Sequence, residues 1–138
     1  MIKHHFFILF IFTLLIVGCR EDIIEPDTFV GVINEPVQIN TPDSYTFIIH
    51  AQNISVNVTD NTYVSSLTSR ISISIADYSS GYVSINVIDV SDKSRFSYFG
   101  NSDESFFTEA LGGYIPALVG LRAVNFSGKL KISLTKTF

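Results

Sequence analysis

Tryptophan is absent from this chain, cysteine and methionine occur once each, and only 16% of the residues are charged. Each shortage removes a class of protein. A single cysteine, Cys19, cannot close an internal disulfide, and with His50 the only histidine beyond the first five residues it cannot assemble a zinc site either. Basic residues are few and scattered, at Arg70, Lys93, Arg95, Arg122, Lys129, Lys131 and Lys136. Displacing counterions from a phosphate backbone takes clustered cations, so nucleic acid is not an expected partner. Apolar runs are short as well. The longest, Phe6 to Leu15, is broken only by Thr13, and a helix from Phe6 to Gly18 would span about 20 Å of a hydrocarbon core of about 30 Å. That is too short for a permanent transmembrane helix.

What is present at the start of the chain has its own logic. A short polar opening with Lys3 precedes the apolar run, which is the layout of a cleavable secretory signal. The run ends in Ile16, Val17, Gly18 and Cys19: an aliphatic residue, a tolerant position, a small residue and cysteine. This resembles the lipobox of bacterial lipoproteins. The resemblance implies cleavage between Gly18 and Cys19, a diacylglycerol thioether on the Cys19 sulfur and acylation of the new amine. A thiolate is the strong nucleophile such a transfer needs, and several acyl chains together make the anchor effectively permanent. Residues 1–18 are thus expected to be a signal peptide, and the protein to sit in a bacterial cell envelope, at the outer membrane, attached through lipid on Cys19.

Losing residues 1–18 removes one base, Lys3, so the mature side chains carry a net charge of −5. Five of the acids, Glu21, Asp22, Glu25, Asp27 and Glu35, follow Cys19 closely. Residues 19–28, acidic, aperiodic and containing Pro26, read as a flexible tether. Within it Arg20, Glu21 and Asp22 resemble the surface-export signal of Bacteroidota lipoproteins, in which a basic residue and two acidic ones follow the cysteine. A solvated linker explains the same residues, so both faces of the outer membrane stay open.

From residue 29 to 138 the pattern changes to period two. Ile54, Val56 and Val58 alternate with Ser55 and Asn57; Ile71, Ile73 and Ile75 with Ser72 and Ser74; Val83, Ile85 and Val87 with Ser84 and Asn86; Leu130, Ile132 and Leu134 with Lys131 and Ser133. Alternating β-branched and small polar residues mark half-buried strands. Seven to nine such runs, separated by turn residues at Asn40 to Asp43, Asp60 and Asn61, Ser79 to Gly81, and Ser127 and Gly128, predict one all-β domain. The expected architecture is a two-sheet antiparallel β-sandwich, immunoglobulin-like or jelly-roll-like. Ser127 and Gly128 suit a two-residue hairpin. A phase slip at Val87, Ile88 and Val90 predicts a bulge or a change of sheet. Residues 103–111 fit a short helix capped by Ser102, with an edge strand as the alternative.

No reaction follows from these residues. His50 lies on the strand face opposite Tyr45, Phe47 and Ile49, where an exposed residue is expected. Asp89 and Asp92 at a strand end, with Asp103 and Glu104 opening the next segment, could gather calcium ligands, but Asx turns account for the same residues without a metal, and no cofactor is expected. Eight aromatic residues lie between Tyr78 and Tyr114. Most are needed inside a small domain; Tyr82, Tyr98, Phe99 and Tyr114 are the candidates for a ligand face toward a protein or glycan. The expected function is non-catalytic binding, adhesion or structural support at the envelope. The competing reading is a small hydrolase or metal-assisted enzyme with its site in the loops of residues 89–114.

Replacing the thiol decides the anchor. Cys19→Ala should abolish incorporation of an alkynyl fatty acid and leave uncleaved or mislocalised chain, read by metabolic labelling and membrane fractionation.

Overall fold

The computed structural model describes residues 32–138. The signal peptide, Cys19, the tether with Arg20, Glu21 and Asp22, and the start of the first expected strand run lie outside the described residues. Six strands follow: β1 (Val37–Asn40), β2 (Ser44–Asn61), β3 (Thr68–Asp89), β4 (Ser94–Gly100), β5 (Glu104–Gly112) and β6 (Pro116–Lys136). All pairings are antiparallel, in the order β1-β2-β6-β3-β4, with β5 also on β3. The described residues are all-β, with no helix among them.

The expected seven to nine runs become six strands because neighbouring runs join. Residues 44–50 and 53–59 are two ends of β2, residues 68–76 and 82–89 two ends of β3, and residues 118–126 and 129–136 two ends of β6. The junctions align. Register shifts fall between Ala51 and Val56 in β2 and between Ala76 and Tyr82 in β3, facing the stretch of β6 from Val124 to Gly128. Positive φ angles cluster there too, at Asn53, Asp77, Gly81, Asn125 and Gly128. Ser79 to Gly81 and Ser127 with Gly128 therefore do not close hairpins. They kink strands that continue, since a residue able to adopt φ > 0 serves a bulge as well as a reversal. At Gly81 the constraint is severe: a Cβ would run into the carbonyl oxygens of Val124 and Asn125.

The kinks bend the sheet back on itself. Tyr45 and Asp60 are fifteen residues apart on β2, about 50 Å in a straight strand, yet the Tyr45 hydroxyl donates to Asp60 Oδ2 at 2.7 Å. Gly100, in the half beyond the crease, approaches Ile75 in the half before it so closely that a Cβ would lie 2.5 Å from Ile75 Cδ1. Phe96 and Tyr98 of β4 pack against Phe107 of β5 with ring centroids 6.1 and 5.0 Å apart. One buried cluster results, taking Tyr45, Phe47, Ile71, Ile73, Ile75, Leu130, Ile132 and Leu134 from the first half and Val83, Ile85, Val87, Val119 and Leu121 from the second. Alternation marks all of these as inward except Val119 and Leu121, and Ile54, Val56 and Val58, marked with them, are only half-buried.

Residues 103–111 form a strand rather than the short helix. The flank of β3 from Thr68 to Ile75 would otherwise leave its backbone N–H and C=O groups without strand partners, and β5 supplies them, Thr68 facing Gly112 and Ile73 facing Phe107. Phe107 and Leu111, four apart, suit one face of a strand as well as one turn of a helix. Phe106, which a helix would have placed beside Phe107 and Leu111, is left exposed. The phase slip near Val87 corresponds to register shifts at Val87/Ile88 against β4 and Ile88/Asp89 against β6, while the inward parity of Val83, Ile85 and Val87 runs on unbroken to Asp89.

Two substitutions separate the core from the bond that closes the two halves on each other. Ile73→Asp places an unpaired charge in the buried cluster and should abolish the cooperative thermal transition followed by circular dichroism. Tyr45→Phe keeps the ring and removes only the bond to Asp60, and should cost about 1.5–3 kcal/mol in urea denaturation.

Candidate functional site

Beyond the crease, outward positions of four strands line up across the sheet. Asn57, Arg122, Ser84 and Phe99 form one row, and Thr59, Gly120, Asn86 and Ser97 the next. Tyr82, opposite Val124, stands beside Phe99, and their rings stack with centroids 5.3 Å apart and planes 30° from parallel. Phe99 is 60% exposed. Leaving an aromatic ring in water forfeits its burial, so a stacked pair on a solvent face needs a reason beyond packing. Around it lie amide, hydroxyl and guanidinium groups. Gly120 leaves the room in which the Asn86 amide lies across β6, since a Cβ there would collide with Asn86 Oδ1.

The four residues expected to share a ligand face divide. Tyr82 and Phe99 are on the outer face, but Tyr98, opposite Ile85, turns inward and packs on Phe107, and Tyr114 packs against the core with the Arg95 guanidinium 5.6 Å from its ring centroid. Burial, with Glu104 nearby, pushes the Tyr98 hydroxyl above its ordinary pKa. Burial does the same for Tyr114, aided by Glu109, and its hydroxyl has no hydrogen-bond partner among the described residues. Strand parity separates Tyr98 from Phe99, an alternation that the adjacent aromatics obscure in the sequence.

Two of the four acids weighed for calcium, Asp89 and Asp103, serve the backbone. Asp89 is 2% exposed; its Oδ1 accepts the N–H groups of Ser91 at 2.7 Å and Lys93 at 3.0 Å, and its Oδ2 accepts Arg95 Nε at 2.6 Å. Burial alone would raise its pKa, but the Lys93 and Ser91 N–H groups and the Arg95 guanidinium outweigh it and hold the carboxyl below the ordinary range. Asp103 Oδ1 accepts the Tyr78 N–H at 2.9 Å, sealing β3 at the crease. Asp89 and Asp103 thus have separate structural tasks, and no group of three or more His, Cys, Asp or Glu side chains converges among the described residues.

A second polar place, not foreseen from the sequence, is a recess of about 310 Å³ at the crease, lined by Ile33, His50, Gln52, Asp77, Ser79 and Ser127 among others. Its groups are largely occupied. Asp77 pairs with Lys129 at 2.7 Å, which lowers its pKa, and Ser127 Oγ accepts the Asn53 N–H at 2.8 Å. His50 enters it from the outward face of β2, as its position opposite Lys129 requires.

Neither a family model nor a curated protein sequence matches this chain. Among solved structures it is similar to a chain from the pili of Bacillus endospore appendages, at 12% identity and a TM-score of 0.44, over 78% of this chain and 95% of that one. It is also similar to a chain described as BiXyn10A CBM1 in the apo state, at 11% identity and a TM-score of 0.37, over 75% and 90%. A third likeness, to the enzymatically active domain of tailspike protein 4 of bacteriophage CBA120, has 13% identity and a TM-score of 0.37, over 74% of this chain and 17% of that one. TM-scores this low carry no argument about function.

The Asp89 turn gives a pH test. A carboxyl with a depressed folded pKa contributes stability that is present above its unfolded pKa of about 3.9 and lost as pH falls through the folded value. Asp89→Asn should melt below wild type at pH 7, and the gap should narrow as pH falls from about 4, where the unfolded-state carboxyl protonates, through the lower folded value, below which the wild-type carboxyl is neutral too. Thermal melts at a series of pH values read the difference.

Proposed function

We propose that this chain is an exported bacterial lipoprotein, anchored by lipid on Cys19 at the outer membrane, whose β-domain is a non-catalytic binding module with Tyr82 and Phe99 at the centre of its ligand face. The observation that carries the binding role is the Tyr82–Phe99 stack, exposed on a strand face otherwise made of Asn57, Arg122, Ser84, Asn86, Thr59 and Ser97. Rings offer apolar contact at little entropic cost, and the amides and hydroxyls around them offer directional hydrogen bonds, a combination suited to a glycan or a polar protein surface. The anchor and the export route rest on Ile16 to Cys19 and the layout before them. No residue is assigned a catalytic role in this reading, and no cofactor is required.

The fold read with it is a two-sheet sandwich of jelly-roll-like kind. Its first layer takes β1, Ser44 to Ala51, Lys129 to Lys136, Thr68 to Ala76 and β5; its second takes Ile54 to Asn61, Pro116 to Val124, Tyr82 to Asp89 and β4. Supporting it are the aligned kinks and the contacts from Tyr45 to Asp60 and from Phe107 to Tyr98. Two layers joined by strands that cross from one to the other turn their outer faces in opposite directions.

Intact cells and purified lipoprotein test the ligand face. With a glycan array and host-matrix proteins as probes, Tyr82→Ala combined with Phe99→Ala should weaken the strongest interaction at least about tenfold, as truncation of central aromatic anchors does, while the melting temperature stays near wild type. Unchanged binding by the double variant would remove the face from the proposal.

A further inference from the structure

The outer face before the crease differs in kind from the one after it. Its outward positions carry Val37 and Ile39 on β1, Thr46, Ile48 and His50 on β2, Lys129 and Lys131 on β6, and Arg70, Ser72 and Ser74 on β3. In a chain with net charge −4, the outward positions of these strands carry three cations and no carboxylate; of the acids around them, Asp77 at the crease is paired with Lys129, Asp43 ahead of β2 with Lys136, and Glu35 stands exposed in the segment that leads into β1. Aliphatic residues collect along its β1 edge. Val32, Ile33, Val37 and Ile39 are 64%, 48%, 42% and 54% exposed, four of the ten exposed large hydrophobic residues among those described. Val37 faces Ile48 and Ile39 faces Thr46, so the patch runs directly into the cationic rows.

We infer that this face rests on the anionic surface of the lipid bilayer to which the chain is anchored, with Val37 and Ile39 entering the headgroup boundary and Arg70 and Lys131 against lipid phosphates. The inference depends on the lipid anchor proposed above. Twelve residues separate Cys19 from Val32, so the tether reaches at most about 45 Å. It arrives at the aliphatic edge itself, since Asn34 bonds to the His50 carbonyl and to Gln52 beside the same face. Tethering over such a span imposes an effective concentration in the millimolar range, at which a few cations and a small apolar edge suffice to orient a domain that would not bind membrane untethered. In the proposed two-layer arrangement the Tyr82–Phe99 face then points away from the bilayer.

Because the chain has no tryptophan, one introduced indole reports on one place. Lipidated full chain, recovered from membranes, is reconstituted in phosphatidylcholine vesicles with and without phosphatidylglycerol, all with brominated acyl chains that quench indole at the membrane. With phosphatidylglycerol present, Ile39→Trp should be quenched at least about twofold more than Phe99→Trp, and Arg70→Glu with Lys131→Glu should erase the difference. Val37→Trp repeats the measurement should Ile39→Trp lower the melting temperature. Equal quenching at positions 39 and 99 in chain that floats with the vesicles would overturn the docking while leaving the anchor intact. Quenching at 39 that is independent of phosphatidylglycerol would overturn the anionic assignment. A blue-shifted but unquenched indole would mean that a second copy covers the edge, and would overturn it too. Chain that carries no lipid and fails to float would overturn the anchor and the docking together.

Discussion

Strand length is the constraint on which everything else in this domain depends. β2, β3 and β6 run for 18, 22 and 21 residues, so that straight they would each extend about 60 to 70 Å, far beyond any core that a chain of this size can build. A flat sheet of such strands would leave one whole apolar face in water. Bending all three at one level lets the inward residues of the first half meet those of the second, and this is the source of the single buried cluster. The kink residues Asn53, Asp77, Gly81, Asn125 and Gly128 therefore hold no contact energy of their own comparable to the core they permit. The Tyr45–Asp60 bond closes the open end of the fold, and burial of the phenol, reinforced by the carboxylate, keeps that hydroxyl protonated far above its ordinary range.

The sequence exposed the strands more faithfully than their connections. Alternation at Ile71 to Ile75, Val83 to Val87 and Leu130 to Leu134 identifies buried side chains because parity is a local property, settled by the residue's neighbours. Whether a glycine or asparagine reverses the chain or merely kinks it is not local. Ser127 and Gly128 carry the chemistry of a hairpin, and only the presence of β2 and β3 on both flanks of β6 keeps them in a continuous strand. Residues 103–111 fail for a related reason: the open flank of β3 that recruits them is formed by residues some thirty positions earlier.

The aromatic residues expected at a ligand face show how far aromatic content alone can be read. Phe99 and Tyr98 are adjacent in a strand with neighbours of similar character, so composition cannot say which of them faces water; pairing with Ser84 and Ile85 does. Asp89 was visible as a turn acid, and its burial follows from the parity of Val83, Ile85 and Val87, which it continues. The crease recess had no local signal at all. His50, Asp77 and Ser127 come from three strands and share only their distance from the bend.

The strand at the middle of the sheet comes after all five others in chain order. β6, the middle strand, is the last to be synthesised, and Ser44 of β2 waits for Thr135, Arg70 of β3 for the same residue. Until it is present, β2 and β3 have no partner in common, and only the hairpin-like neighbours β1 with β2 and β3 with β4 or β5 can pair. Topologies dominated by such distant pairings fold slowly, over milliseconds to seconds, since loop closure must be met before any core is gained. A domain built this way locks only when β6 threads between two strands that were waiting for it.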